Sequence, residues 1–206
     1  MLLAVALAGC AGDETRVEAD PAPRAPTPTS GAPPWLAPPN PLERTRAAGL
    51  VPLRRETLTF HRHAHLDVIV NGEPVPVPAG VGIAVSDPGV KRFETPFGAG
   101  YGKIERCEDP CISPLHTHDR SGVIHTEAAT ERLNRLGHFF AEWGVRLDSR
   151  CVGGYCRPTA TIQVFVGGDP YAGDPTDIAL ADEKEIAIVI GSAPAEIPST
   201  YDFSDV

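Results

Sequence analysis

Six of the seven histidines of this chain fall in two short stretches. The first is His61-Arg62-His63-Ala64-His65. On a strand, alternate side chains share a face, so His61, His63 and His65 point one way, with Asp67 next in line. The second stretch spans residues 115–127 and contains His116, His118, Asp119, His125 and Glu127. If Arg120-Ser121 forms a two-residue loop, His116 stands opposite His125 and His118 opposite Val123, and Glu127 joins the same face. Three imidazoles and a carboxylate would then converge. Asp119 at the turn could accept a hydrogen bond from a ring N–H.

Neutral imidazole suits zinc, copper, iron or nickel, and three such ligands leave one coordination position open. The expected cofactor is a divalent transition metal, zinc or copper. Its candidate ligands are His116, His118 and His125. His61, His63 and His65 either complete that site or form a second one. Glu127 and Asp119 are the candidate proton carriers if water takes the open position. The single methionine leaves out a thioether copper site. A cupin also uses His-x-His followed by Glu, but with a closer Glu and Gly positions this chain does not have. Each cluster has a plainer reading: a solvated strand face for His61 to His65, and a hydrogen-bonded polar network for the second. Arg132, Arg135, His138 and Glu142 read as helix surface groups.

The elements that must hold these residues are mostly strands. Leu58, Phe60, Ala64, Leu66, Val68 and Val70 alternate with the first histidines, predicting a strand over residues 57–70. Asn71-Gly72 is a strong hairpin signal. A return strand is expected near residues 73–77, on an edge because of its prolines, and a short strand at Val81, Ile83 and Val85. Residues 86–110 read as a long loop. Strands are expected at 115–118 and 123–127, around Asp119-Arg120-Ser121-Gly122. Helical spacing over residues 130–143 puts Leu133, Leu136, Phe140 and Trp143 on one face, with Gly144 as the stop. The apolar runs 161–166 and 185–190 read as buried strands. The expectation is one α+β domain with a mostly antiparallel sheet and one principal helix; a β-sandwich is the alternative.

The N-terminus speaks to location. Leu7-Ala8-Gly9-Cys10 matches the bacterial lipobox, although no Lys or Arg precedes the short apolar run. This resembles a lipoprotein signal over residues 1–9, with Cys10 lipidated and the protein anchored outside the cytoplasm. Residues 21–41 carry nine of the 22 prolines. The expected layout is therefore a Pro-rich spacer over 10–49 and a folded domain over 50–206. Four cysteines remain, and an even number in an oxidising compartment suggests disulfides. Cys107–Cys111 and Cys151–Cys156 are the favoured pairs, because each flanks a short turn. A four-Cys zinc site would want Cys-x-x-Cys spacing. A net charge of −9 argues against nucleic acid, and no long apolar run after residue 10 predicts a spanning helix.

The stretch 116–127, with residues 63–72 before it and 136–144 after it, resembles an uncharacterised family of secreted or membrane-anchored prokaryotic proteins. Its most specific part is His-Thr-His-Asp-x-Ser-Gly-x-Ile-His-x-Glu, and the resemblance covers roughly residues 57–190. It implies a shared site and no particular activity. Three functions compete. The first is a lipid-anchored zinc- or copper-binding protein whose partner is the metal ion. The second is a metal-dependent hydrolase, lyase or oxidoreductase with a three-His site. The third is a surface interaction module without metal. A pocket beside an open metal position would favour the enzyme.

Overall fold

A computed structural model describes residues 27–204. The expected signal segment and Cys10 lie outside the described residues. The elements run α1 (Pro41–Ala47), β1 (Phe60–Val70), β2 (Glu73–Pro74), β3 (Lys91–Thr95), β4 (Gly98–Gly102), β5 (Leu115–His116) and β6 (Val123–Ala128), followed by α2 (Leu136–Trp143). Then come β7 (Cys151–Val152), β8 (Tyr155–Cys156), β9 (Ile162–Val166), β10 (Asp169–Pro170), a 3-10 turn (Pro175–Asp177) and β11 (Lys184–Ile190).

One seven-stranded sheet of order β10-β9-β11-β1-β6-β5, with β2 also paired to β1, organises the molecule. This is an α+β fold on a single main sheet, so the sandwich alternative is not the arrangement. All its pairs are antiparallel except β1 with β11. The parallel pair explains why 184–190 is apolar throughout: a central strand between β1 and β9 is covered on both faces.

One face of the sheet carries the core. Ala64, Leu66 and Val68 of β1 pack with Ile124, Ile186 and Ile188 against Leu136, Phe139, Phe140 and Trp143 of α2. Removing this apolar surface from water is the main stabilising contribution. On the other face, Ile69, Phe165, Ala187 and Val189 form a smaller cluster with Ile197. Asn71 and Gly72 both take positive φ, 54° and 84°, in the turn after β1, which is the backbone a two-residue primed turn requires. Gly144 at φ 74° ends α2, its N–H bonded to the Phe140 carbonyl.

Several expectations are corrected. β1 begins at Phe60, and Leu58 is 67 % exposed. The return strand shrinks to Glu73–Pro74. Val81, Ile83 and Val85 form no strand; Ile83 makes one isolated bridge to Ile112. Residues 86–110 are not a plain loop, since β3 and β4 form a hairpin within them. The helix starts only at Leu136, and Leu133 is exposed. Glu142 is not a surface charge but fully buried, its carboxyl accepting hydrogen bonds from Ser113 Oγ at 2.5 Å and Thr45 Oγ1 at 3.3 Å. The residue lies three after Phe139 and so shares its inward face. Within the described part of the expected spacer, residues 35 and 41–47 pack onto the domain. Trp35 is 4 % exposed, edge-on to Trp143 at 5.9 Å, and α1 supplies the buried Thr45. Both disulfides form as expected, Cys107–Cys111 and Cys151–Cys156.

Candidate metal centre

The register that buries one face of β1 builds the site on the other. His61 stands opposite Glu127 and His63 opposite His125 in the β1–β6 pair. His116 stands opposite His125 in the β5–β6 pair, as the hairpin reading expected. His116, His125 and His63 therefore form a row across three adjacent strands. The intervening Leu115, Ile124 and Ala64 point into the core. The two histidine stretches, some fifty residues apart, meet in one pool.

The donors fall into two overlapping groups whose candidate ligand atoms lie within 4.8 Å of one another: His116, His118, His125 and Glu127, and His61, His63 and His125. These groups could hold a metal ion. Within the pool, His63 Nε2 is 3.1 Å from His61 Nε2, His61 Nε2 is 3.2 Å from His125 Nδ1, and His116 Nε2 is 3.4 Å from His118 Nε2. Two nitrogens bound tetrahedrally to zinc at its usual bond length stand roughly 3.3 Å apart.

Backbone carbonyls set the tautomers. His116 Nδ1 lies 2.9 Å from the Ser113 carbonyl and His118 Nδ1 lies 2.6 Å from the Tyr101 carbonyl. A carbonyl only accepts, so each Nδ1 carries the hydrogen and each Nε2 turns its lone pair to the other ring. Two lone pairs face each other at 3.4 Å, an arrangement that a cation between them, a proton or a metal, satisfies. Orienting a ligating imidazole through a carbonyl on its second nitrogen is also the usual support for a bound metal. The hairpin that sequence reading took for loop supplies one of these carbonyls, since Tyr101 lies in β4. Its N–H in turn donates to the His118 carbonyl at 3.0 Å.

Burial keeps the pool in ligating form. Desolvation, reinforced by the neighbouring rings, holds His116 and His125 well below the usual imidazole range and brings His63 to about 4. His61 is lowered for the same reasons. These rings are neutral at pH 7, the state a metal requires. Glu127 is 1 % exposed and burial pushes its carboxyl up to about 7. Its Oε2 accepts the Thr57 N–H at 2.8 Å, while Oε1 lies 3.5 Å from His61 Nε2 and 3.7 Å from His116 Nε2.

Two expected residues stand elsewhere. His65 is in neither of these groups. Its Nδ1 meets Glu185 Oε2 at 2.8 Å, its Nε2 meets the Ser121 carbonyl at 2.8 Å, and its ring stacks on Tyr201 at 3.9 Å. Acceptors at both nitrogens favour the charged ring, and its pKa is raised although burial opposes this. Asp67 and Glu185 sit beside it, making a separate group of possible donors. Asp119 does not receive a ring N–H; its carboxylate accepts the Ser121 N–H at 2.9 Å and shapes the turn. Sequence reading missed Glu56, whose Oε1 is buried without a hydrogen-bond partner. It lies in an irregular segment, where no periodicity marks it.

A groove of about 820 Å³ opens onto the centre, lined by Phe93, Phe97, Lys103, His118, His125 and Tyr201 among others. That volume is in the range of small-molecule pockets. Beside it, Gly102 has no room for a side chain: a Cβ there would lie 2.5 Å from His118 Nδ1. A Gly102→Ala variant is expected to push His118 from its carbonyl and weaken metal binding about 10- to 100-fold, read by competition against a chromogenic chelator. Unchanged affinity would show that His118 is no ligand.

Comparison with family models, with curated proteins and with solved structures finds no match to this chain.

Proposed function

We propose that this chain is an extracytoplasmic, lipid-anchored protein that binds a transition metal, zinc or copper, through His116, His118 and His125. The observation that carries the reading is the pair of inward-facing lone pairs on His116 and His118, each fixed by a backbone carbonyl on its other nitrogen. A proton between them would satisfy the pair, but it would not explain why His125 and Glu127 crowd the same group, with His61 and His63 beside them. Metal capture, delivery or resistance fits such a centre. The location rests on the lipobox of residues 7–10 and on the two disulfides, which are compatible with an extracellular setting. Among the described residues no helix is long and apolar enough to cross a membrane. The likeness to secreted or membrane-anchored prokaryotic proteins through the motif at 116–127 supports the same placement.

The groove favours a second reading, a metal-dependent enzyme. His118 and His125 line both the centre and the groove, so a small molecule seated there would touch the ligands. Glu127, poised by burial near neutral pH, is the group best placed to take or give a proton. Asp119 also lines the groove.

The test is metal content. The full chain, exported so that its disulfides form and purified without a His tag, is expected to carry near-stoichiometric metal by mass spectrometry. A His116→Ala/His118→Ala variant should carry none. A metal-free protein, even after incubation with zinc and copper followed by desalting, would overturn both readings and leave a surface module without metal.

A further inference from the structure

We propose that the pool is a two-metal centre, with one ion held by His116, His118 and Glu127, a second by His61 and His63, and His125 between them as an imidazolate that has released its ring proton to solvent and offers one nitrogen to each ion. The proposal rests on the metal-binding reading and goes beyond it in the number of ions and the ligands of each.

Three observations carry it. The first is the donor count. A single tetrahedral ion with one open position needs three protein ligands, whereas this pool brings together five imidazoles and Glu127. One ion cannot use them all, because donors at 2.0–2.1 Å from a common ion lie no more than about 4.2 Å apart. The donors instead sort into two groups that share only His125. The second is the carboxylate. Glu127 Oε1 lies 3.5 Å from His61 Nε2, in one group, and 3.7 Å from His116 Nε2, in the other. An oxygen between two sets of nitrogens is placed to bridge two cations, and Thr57 N–H holds the other carboxylate oxygen at 2.8 Å. The third is charge. Two divalent cations need more anion than one carboxylate. Glu56 Oε1 is buried with no hydrogen-bond partner on the Nδ1 side of His118, where a Cβ on Gly102 would lie 3.1 Å from that oxygen and 2.5 Å from His118 Nδ1, so it adds negative charge near the centre without being one of its ligands. A buried, unpartnered carboxylate oxygen is costly unless a cation or proton meets it.

Two ions a few ångströms apart could polarise one small molecule in the adjoining groove from two sides. The pool would then differ in kind from a single-ion carrier.

The experiment is a stoichiometric titration of the full, disulfide-bonded chain. It is stripped with chelator and dialysed against zinc alone, with bound metal read by mass spectrometry. The expected plateau is two ions per chain, falling to one in a His61→Ala/His63→Ala variant. Both substitutions lie on the face of β1 away from α2, so the core is left intact. Copper(II) should give a spin-coupled resonance at full loading that becomes an isolated copper signal in the variant. A wild-type plateau of one, unchanged in the variant, would overturn the two-metal centre and leave the single-ion reading standing. A plateau of two that the variant retains would place the second ion elsewhere, and also overturn it. No binding at all would overturn the metal reading itself.

Discussion

A His125→Ala variant is expected to lose metal from both groups at once, the largest single-residue effect on binding that the geometry offers. His125 is the one donor common to the two groups, and it is 7 % exposed. Side chains that only orient a ligand cost 10- to 100-fold in affinity when removed, and a shared ligand should cost more. The measurement is thermal unfolding with and without metal. An ion present at about 100 times its dissociation constant stabilises by about 2.7 kcal/mol, which raises the midpoint by roughly 5–10 °C for a chain of this size. Wild type should show that rise and His125→Ala should show none. A His63→Ala variant, which touches one group only, should keep part of it. A full rise in His125→Ala would remove this residue from the ligand set.

Much of the centre was legible because strand periodicity is strict. A side-chain period of two puts His61 and His63 on the face opposite Ala64 and Leu66 without any tertiary information, and the turn at residues 119–122 fixes which residue faces His125. What brings the two stretches together was not legible. That depends on β1 pairing β6 across some sixty residues, a choice made by the packing of Leu66, Ile124 and Ile186 beneath α2. His65 shows the limit of periodicity. It shares the parity of His61 and His63, yet β1 at that point runs beside β11, so its neighbour is Glu185 rather than another imidazole. The β3–β4 hairpin escaped notice because Gly98, Gly100 and Gly102 dilute any alternation in its second strand. Its consequence, the Tyr101 carbonyl that orients His118, was invisible with it. The Pro-rich composition of residues 21–41 hid Trp35 in the same way, since composition reports the average and the anchor is one residue.

Glu142 connects the core to the centre and carries the second large expectation. It joins α1 through Thr45 and, through Ser113, the segment leading into β5. The Ser113 hydroxyl also accepts the Leu115 N–H at 3.1 Å, and the Ser113 carbonyl accepts the His116 ring hydrogen at 2.9 Å. Burial pushes the Glu142 carboxyl up to about 8, although the Ser113 and Thr45 hydroxyls favour the ionised form. A pKa raised on folding gives a stability contribution that is fully present below the unfolded value of 4.5. It is lost as pH rises through about 8. At 1.36 kcal/mol per unit the whole change is on the order of 3–5 kcal/mol. Between pH 5 and pH 9 the wild-type protein should therefore lose stability in denaturant titrations. A Glu142→Gln variant, neutral at every pH and able to accept from Ser113 and donate to Thr45, should lose several kcal/mol less over that window. It should be the more stable of the two at pH 9. Equal slopes in the two proteins would mean that folding does not raise the Glu142 pKa, the carboxyl being ionised at neutral pH in the folded state as in the unfolded one.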